Sequence, residues 1–220
     1  VKPINRVLFN AFAAKTVDIY HPTGYSATVY NWRKSPVILT VYDMIPELFP
    51  QDFRDIRPRL ENKRKSIQRA DKIITISQTT KQDLMRFYKV GEAKISVIYP
   101  GAPTEIIEKN HGDPYEHPKP YILYVGTRKQ GYKNFERLLL AYAISKKIHS
   151  EFDLLCFGGP SFSGAEHDNI SILERLDDVF HVSGNDRQLS RLYAGAAALV
   201  YPSLYEGFGL PPLEAMAHGC

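Results

Sequence analysis

The stretch Tyr121–Asn134, YILYVGTRKQGYKN, decides the fold. Its first six residues form an apolar run closed by glycine, the mark of a buried strand entering a tight turn. The segment after it, NFERLLLAYAISKKI (134–148), repeats apolar residues at helical spacing. Strand, turn and helix in that order open a βαβ unit. Downstream, FDLLCFGG (152–159), VFHVS (179–183) and ALVYPS (198–203) read as strands. Helices are expected around 164–177, at DRQLSRLYAGA (186–196), and from LPPLEAMAHG, whose prolines fall in a first turn where missing N–H groups cost nothing. Upstream, VDIYH (17–21), PVILTVYD (36–43), DKIITIS (71–77) and KISVIYP (94–100) read as strands. Residues 54–69 and QTTKQDLMRFY read as helices, the second with Ser77 as its N-cap. Between the halves, GAPTEIIEKNHGDPYEHPKP (101–120) holds four prolines and two glycines and shows no periodicity. The expectation is an α/β chain of two doubly wound Rossmann-like domains: residues 1–104, a linker at 105–119, and residues 120–220.

Bulk properties narrow the function. The 220 residues are 44% hydrophobic and 24% charged, with 28 basic and 24 acidic side chains giving a net charge of +4. That balance is too mild to imply nucleic acid, and no compact basic and aromatic motif supports it. Cys156 and Cys220 are too far apart in sequence for a metal or redox pair and form no disulfide framework, which fits a reducing, cytoplasmic setting. No apolar run approaches the roughly 18 residues needed to span a bilayer, and Val1 opens no signal-peptide pattern.

Parallel sheets bind ligands at the carboxyl ends of their strands, so the turns there carry the argument. The turn after Val125 nearly spells a phosphate-binding loop of the ATPase kind. However, Asn134 stands where that loop needs a magnesium-holding hydroxyl, and the ATPase reading is rejected. What remains is Arg128, Lys129 and Lys133 beside Gly126 and Gly131. An arginine grips phosphate with two parallel bonds and a lysine adds a point charge, which suits a diphosphate. The same side chains would also serve as solvated loop charges.

The turn after Pro202, SLYEGFGLPPLEAMAHG, is richer. Glu206 lies on the loop, and Glu214, separated from it by seven residues, is expected in the first turn of the next helix. Gly207 and Gly209 let the main chain approach a ligand, and the helix N-terminus favours an anion. Each carboxylate can accept hydrogen bonds from a pair of neighbouring hydroxyls, as riboses and sugars present them. Taken singly, Glu214 would pass as a helix-dipole acid and Glu206 as a solvated loop residue.

YPSLYEGFGLPPLEAMAHG resembles the glutamate–seven residues–glutamate signature of retaining nucleotide-sugar glycosyltransferases of family 4, with the GT-B fold. VGTRKQGYKNFERLLLAY is similar to their diphosphate-binding turn and helix. RADKIITISQTTKQDLMRFY, VIYPG and VYDMIPELFP are similar to segments of their first domain. The resemblance implies that Arg128 and Lys133 hold the diphosphate. The amides of Phe208, Gly209 and Leu210, with Gly207 beside them, would bind sugar and phosphate. Glu206 would accept from donor-sugar hydroxyls and Glu214 from ribose, while Val182, Ser183 and Gly184 lie beside the base, and Gly126 opens the diphosphate turn. It further implies a metal-independent, cofactor-free enzyme of polysaccharide biosynthesis, with a nucleotide-sugar donor such as GDP-mannose, a glycan or lipid-linked acceptor, and no nucleic acid partner. Tyr42 replaces the histidine that family members commonly carry near the donor sugar. Against members of the family the sequence reads as an interior fragment, with both domains incomplete. A non-catalytic nucleotide-sugar-binding module, or an epimerase or phosphorylase on the same fold, stays open at this point. Between Arg54 and Lys72 stand eight basic and three acidic residues, either a solvated helix face or a peripheral contact for anionic lipid at the inner face of a membrane.

Overall fold

The computed structural model describes residues 17–101, 113–172 and 177–220. Residues 1–16 and 102–104 of the expected first domain, 105–112 of the expected linker, and 173–176 of the expected helix at 164–177 lie outside the described residues. The chain forms two compact units. One runs to Pro100 and takes in Glu206–Phe208, and the other comprises Gly101–Tyr205 with Gly209–Cys220. Every strand pairing between named strands is parallel, as the alternating pattern requires. Among the described residues no helix is long and apolar enough to cross a membrane.

In the first unit, β1 (Ile38–Val41), β2 (Lys72–Thr75) and β3 (Ile95–Val97) lie in that order. The described helices are α1 (Ala27–Asn31), α2 (Ile45–Leu48), α3 (Ile56–Arg69) and α4 (Gln78–Tyr88). Val37, Leu39, Val41, Met44, Ile67, Ile73 and Leu84 are buried at its core, each worth about 1.5–3 kcal/mol of transfer free energy. The α4 N-terminus forms as expected: Ser77 Oγ accepts from the Thr80 N–H at 3.0 Å. The expected strand at 17–21 shrinks to one bridge between Tyr20 and Val37. Its neighbour Pro36 accepts from Tyr20 N–H at 2.9 Å but has no N–H to return, and Pro22 stops the run.

In the second unit, β4 (Tyr121–Val125), β5 (Asp153–Phe157), β6 (Val179–Val182) and β7 (Ala198–Leu199) form a sheet in the order β6-β5-β4-β7. Its helices are α5 (Phe135–Ile144), α6 (Lys146–Glu151), α7 (Gly164–Ile172), α8 (Asp186–Gly195) and α9 (Leu210–Ala217). Alternate strand residues feed two cores. Tyr124, Leu154 and Cys156 pack with Phe135, Leu139 and Tyr142 of α5 and Ile170 of α7. Tyr121, Leu123 and Leu155 pack with Leu189, Leu192 and Tyr193 of α8 and Ala215 of α9. Helices on both faces make the unit doubly wound. Two expected elements come out shorter. The helix over 134–148 breaks at Ser145, whose ψ of 87° leaves the helical region, so α6 starts anew. The strand over 198–203 keeps two residues. Its last rung is Val200 N–H to Leu123 O at 2.8 Å, and Pro202 beyond it lacks a donor.

Candidate functional site

The strand order of the second unit places the site. The chain runs from β4 outward through β5 to β6, then crosses back to lay β7 on the other side of β4. Connections leaving β4 and β7 therefore diverge to opposite faces and open a crevice at the carboxyl ends of these two strands. The turns leaving them, 126–134 and 200–209, are the two that the sequence marks as richest in chemistry.

Direct bonds join these turns. Leu204 N–H donates to Tyr132 O at 2.8 Å. Asn134 holds a left-handed backbone, φ 59°, which asparagine tolerates better than most residues. Its side chain does not cap α5 but donates from Nδ2 to Pro202 O at 3.1 Å. Where an ATPase loop would carry a metal-holding hydroxyl, this chain thus carries a tie between turns. Lys133 Nζ lies 5.9 Å from the Tyr201 ring centre. A cavity of about 240 Å³ lies beside the tie, lined by Arg128, Lys129, Gly131, Asn134, Arg137 and Leu204 among others. Gly126 opens the first turn, its N–H bonded to Phe157 O at 3.0 Å.

Arg128 differs from the expected open clamp. Its side chain is 1% exposed and points into the protein. Nε donates to Glu166 Oε1 at 2.8 Å, Nη1 to Gly158 O at 2.8 Å, and Nη2 to Pro160 O. The guanidinium also stacks 4.7 Å from the Phe162 ring. Glu166 is pinned in turn by a reciprocal cap. Its Oε2 accepts from Ser163 N–H and Oγ–H at 2.8 and 2.7 Å, while Glu166 N–H donates to Ser163 Oγ at 3.4 Å. Burial pushes the Glu166 carboxyl up, but the bonds from Ser163 and Arg128 outweigh it and hold it below its usual range. Among the described residues, three of the five guanidinium N–H groups are thereby engaged and two are left.

On the second turn, Gly209 sits at φ 96°, a left-handed conformation open to glycine, and starts α9. Pro211 and Pro212 carry no N–H, so the donors at this helix end are the amides of Gly209 and Leu210. Because α9 begins at Leu210, Glu214 falls in its second turn and not, as expected, in its first. The Glu214 side chain turns inward and is 7% exposed. Its Oε2 accepts from the hydroxyl of fully buried Tyr193 at 2.8 Å. Burial first and then Glu214 push the Tyr193 hydroxyl far up, so it remains a donor. Glu206 and Phe208 are half-buried and Gly207 is buried; these three group with the first unit. Val182 ends β6 half-buried, with Ser183 and Gly184 exposed after it. They share the carboxyl edge of the sheet with Gly126, two strand spacings or roughly 10 Å along it. Tyr42 follows β1 in the first unit and is 53% exposed.

Three residues escape a reading by sequence. Asn134 ties the turns, Tyr193 holds Glu214, and Glu166 holds Arg128. Of these only Glu166 left a local signal, the Ser163-x-x-Glu166 capping pattern.

Comparison with known proteins bears on the family and the fold. The family model described as "Glycosyltransferase Family 4" matches residues 4–106, and "Glycosyl transferases group 1" matches residues 106–220. The O-antigen chain mannosyltransferase RfbU of Salmonella typhimurium is 33% identical over 186 residues, covering 81% of this chain and 49% of that protein. O-antigen chain mannosyltransferase B of Escherichia coli is 29% identical, covering 91% and 55%. The chain thus spans about half the length of these relatives. Among solved structures, Anabaena Alr3699/HepE in complex with UDP and glucose superposes with a TM-score of 0.72 at 18% identity, over 97% of this chain and 60% of that one.

Proposed function

The chain belongs to the group 1 glycosyltransferases of the GT-B fold, and from that premise we propose that the whole protein moves a sugar from a nucleoside-diphosphate donor to a hydroxyl of a glycan or lipid-linked acceptor, retaining the anomeric configuration and using no metal. The observation that carries this reading is the union of two turns at the sheet's switch point, one bringing Lys133 and the other the Gly209 and Leu210 amides at a helix N-terminus. Those are the groups that a departing diphosphate needs.

In the reaction, the bond from anomeric carbon to phosphate oxygen breaks and its electron pair leaves with the diphosphate. The acceptor oxygen bonds to the same carbon from the same face, and its proton passes to the diphosphate. Lys133, the two amides and the α9 dipole oppose the growing negative charge. Arg128 keeps the β4 turn in shape through Glu166 and offers its two remaining N–H groups. Fixed positive groups of this kind replace a metal ion, and each typically contributes on the order of 100- to 1000-fold in rate. Glu214, held by Tyr193, accepts from ribose, and Glu206 accepts from the donor sugar. Val182 and Ser183 flank the base. The two mannosyltransferase relatives favour GDP-mannose as donor.

Membrane contact belongs to the same proposal and rests on a small patch. Of the eight basic residues between Arg54 and Lys72, Lys63 pairs with Glu47, Arg64 and Lys65 pair with Glu61, Arg69 pairs with Asp71, and Lys72 binds Ala93 O. Arg54, Arg57 and Arg59, which make no ion pair among the described residues, are left for anionic headgroups, at about 1 kcal/mol each near a charged surface.

A thermal-shift panel of GDP, UDP, ADP and their sugars tests the function. A ligand at a hundred times its Kd adds about 2.7 kcal/mol of stability. Lys133→Ala should abolish most of that gain and lower transfer by about 100-fold or more, and a chelator should leave transfer unchanged. A chain that no nucleoside diphosphate stabilises overturns the proposal.

A further inference from the structure

Helix α5 has an outer face that the donor reading leaves without a role. Phe135, Leu139 and Tyr142, spaced by four and then three residues, turn inward and are buried in the core. On the outer side Leu140 is 49% exposed and Ile144 72%, the most exposed large hydrophobic side chain among the described residues. With Glu136 they stand at i, i+4 and i+8 and so form a single ridge along the helix surface. Ala141, also exposed, lies beside it. Exposed apolar side chains scattered singly are ordinary, but two stacked one turn apart at the crest of a helix make a patch.

The ridge has unlike ends. Glu136 heads it, in the first turn of α5. At its foot Ser145 breaks the helix, and Lys146 and Lys147 open α6. All three charged residues are exposed and make no ion pair among the described residues. Arg137 near the head and Glu151 beyond the foot, likewise exposed, repeat the arrangement with the signs reversed. Along the ridge the order is therefore acid, leucine, isoleucine, base. Turned end for end, that order is its own complement: base meets acid at each end, and aliphatic meets aliphatic between them.

A lipid surface suits this face poorly, because its basic and acidic side chains nearly cancel and Glu136 would be pressed against anionic headgroups. A second copy of the same chain suits it well. A two-fold axis brings the same patch of each copy together, so such an interface needs a surface that complements itself. We propose that two copies of this chain pair through antiparallel α5 helices. Leu140 and Ile144 of each copy pack against their counterparts, and Glu136 of one copy meets Lys146 and Lys147 of the other at both ends. A patch this narrow makes a weak, reversible dimer. The proposal goes beyond the transfer reading and stands without it, since neither the donor nor the two turns that bind it enter the pairing.

Sedimentation velocity on the full chain, from micromolar to millimolar concentration, tests it. The sedimentation coefficient should rise with concentration towards that of a dimer. Ile144→Glu, at an exposed position, should weaken association about tenfold or more. Glu136→Lys sets like charges together at both ends and should abolish association, and so should the pair Lys146→Glu with Lys147→Glu. Mixed in equal amounts, these two variants regain opposite charges at both ends and should form a heterodimer about as tight as the wild-type dimer. Misfolding cannot imitate that result, because a misfolded chain does not recover on mixing. A chain that stays monomeric throughout overturns the proposal. So does association that survives Ile144→Glu, or a pair of charge-reversed variants that stay apart when mixed. Vesicles of phosphatidylglycerol and phosphatidylcholine supply the last arm. If the chain binds them through Ile144 and never self-associates, the face belongs to a lipid surface and the dimer falls.

Discussion

Tyr193→Phe deletes one oxygen atom, and its effect can be worked from the geometry. That hydroxyl donates to Glu214 Oε2 over 2.8 Å, with the tyrosine fully buried and the glutamate nearly so. A hydrogen bond to a charged group is worth about 1.5–3 kcal/mol, and at this depth water cannot readily replace the lost donor. For a chain of this size each kcal/mol moves the melting midpoint by about 2–4 °C, so the variant should melt about 3–12 °C lower. A second effect separates support of Glu214 from mere packing. If Tyr193 aims the carboxylate at ribose, the variant should bind GDP or UDP about tenfold more weakly, yet bind the 2′,3′-dideoxy analogue as the wild type does. Calorimetric titration of both ligands measures the difference. A Tyr193→Phe/Glu214→Gln double-mutant cycle should show at least about 1 kcal/mol of coupling. A midpoint moved by less than about 1 °C, or equal losses for the ribose-bearing and dideoxy ligands, would refute the reasoning.

Two further outcomes are expected. Asn134→Gly keeps the left-handed backbone at φ 59° but removes the bond to Pro202 O; nucleotide affinity should drop several-fold by titration while the melting midpoint moves by no more than about 4 °C. Cys156 is fully buried, and burial pushes its thiol from 9.0 up to about 12. It should resist a thiol reagent at pH 8 until the chain unfolds. Because the folded value is the raised one, the associated stability is complete below pH 9 and is lost between pH 9 and about 12, which denaturant titrations across that range would read.

Much of the second unit was legible because its sheet is covered on both faces, so YILYVG and FDLLCFGG appear as near-continuous apolar runs. The Ser77 cap was legible because it is written within four residues. What escaped was tertiary. Arg128 could be recognised as a cation beside a phosphate-sized turn, but its partner Glu166 stands 38 residues away and declares only its own helix cap. Glu214 could be recognised as an acceptor, but Tyr193 comes from another helix, at a position that periodicity marks only as core. The short helices α1 and α2 have too few residues to show a period. VDIYH failed as a strand because Pro36 leaves the ladder a donor short, a fact that belongs to its neighbour's sequence.

The strand order has a consequence for how the molecule comes into being. The two turns to which anion capture is proposed are separated by about 70 residues of chain and are brought together at the carboxyl ends of β4 and β7. A nascent or clipped chain that stops before Ala198 lacks β7, α9 and the second turn, and so owns half of that cradle. Under the proposed function, nucleotide affinity would therefore report completion of the sheet, and the ligand would act as a clasp on its shortest edge.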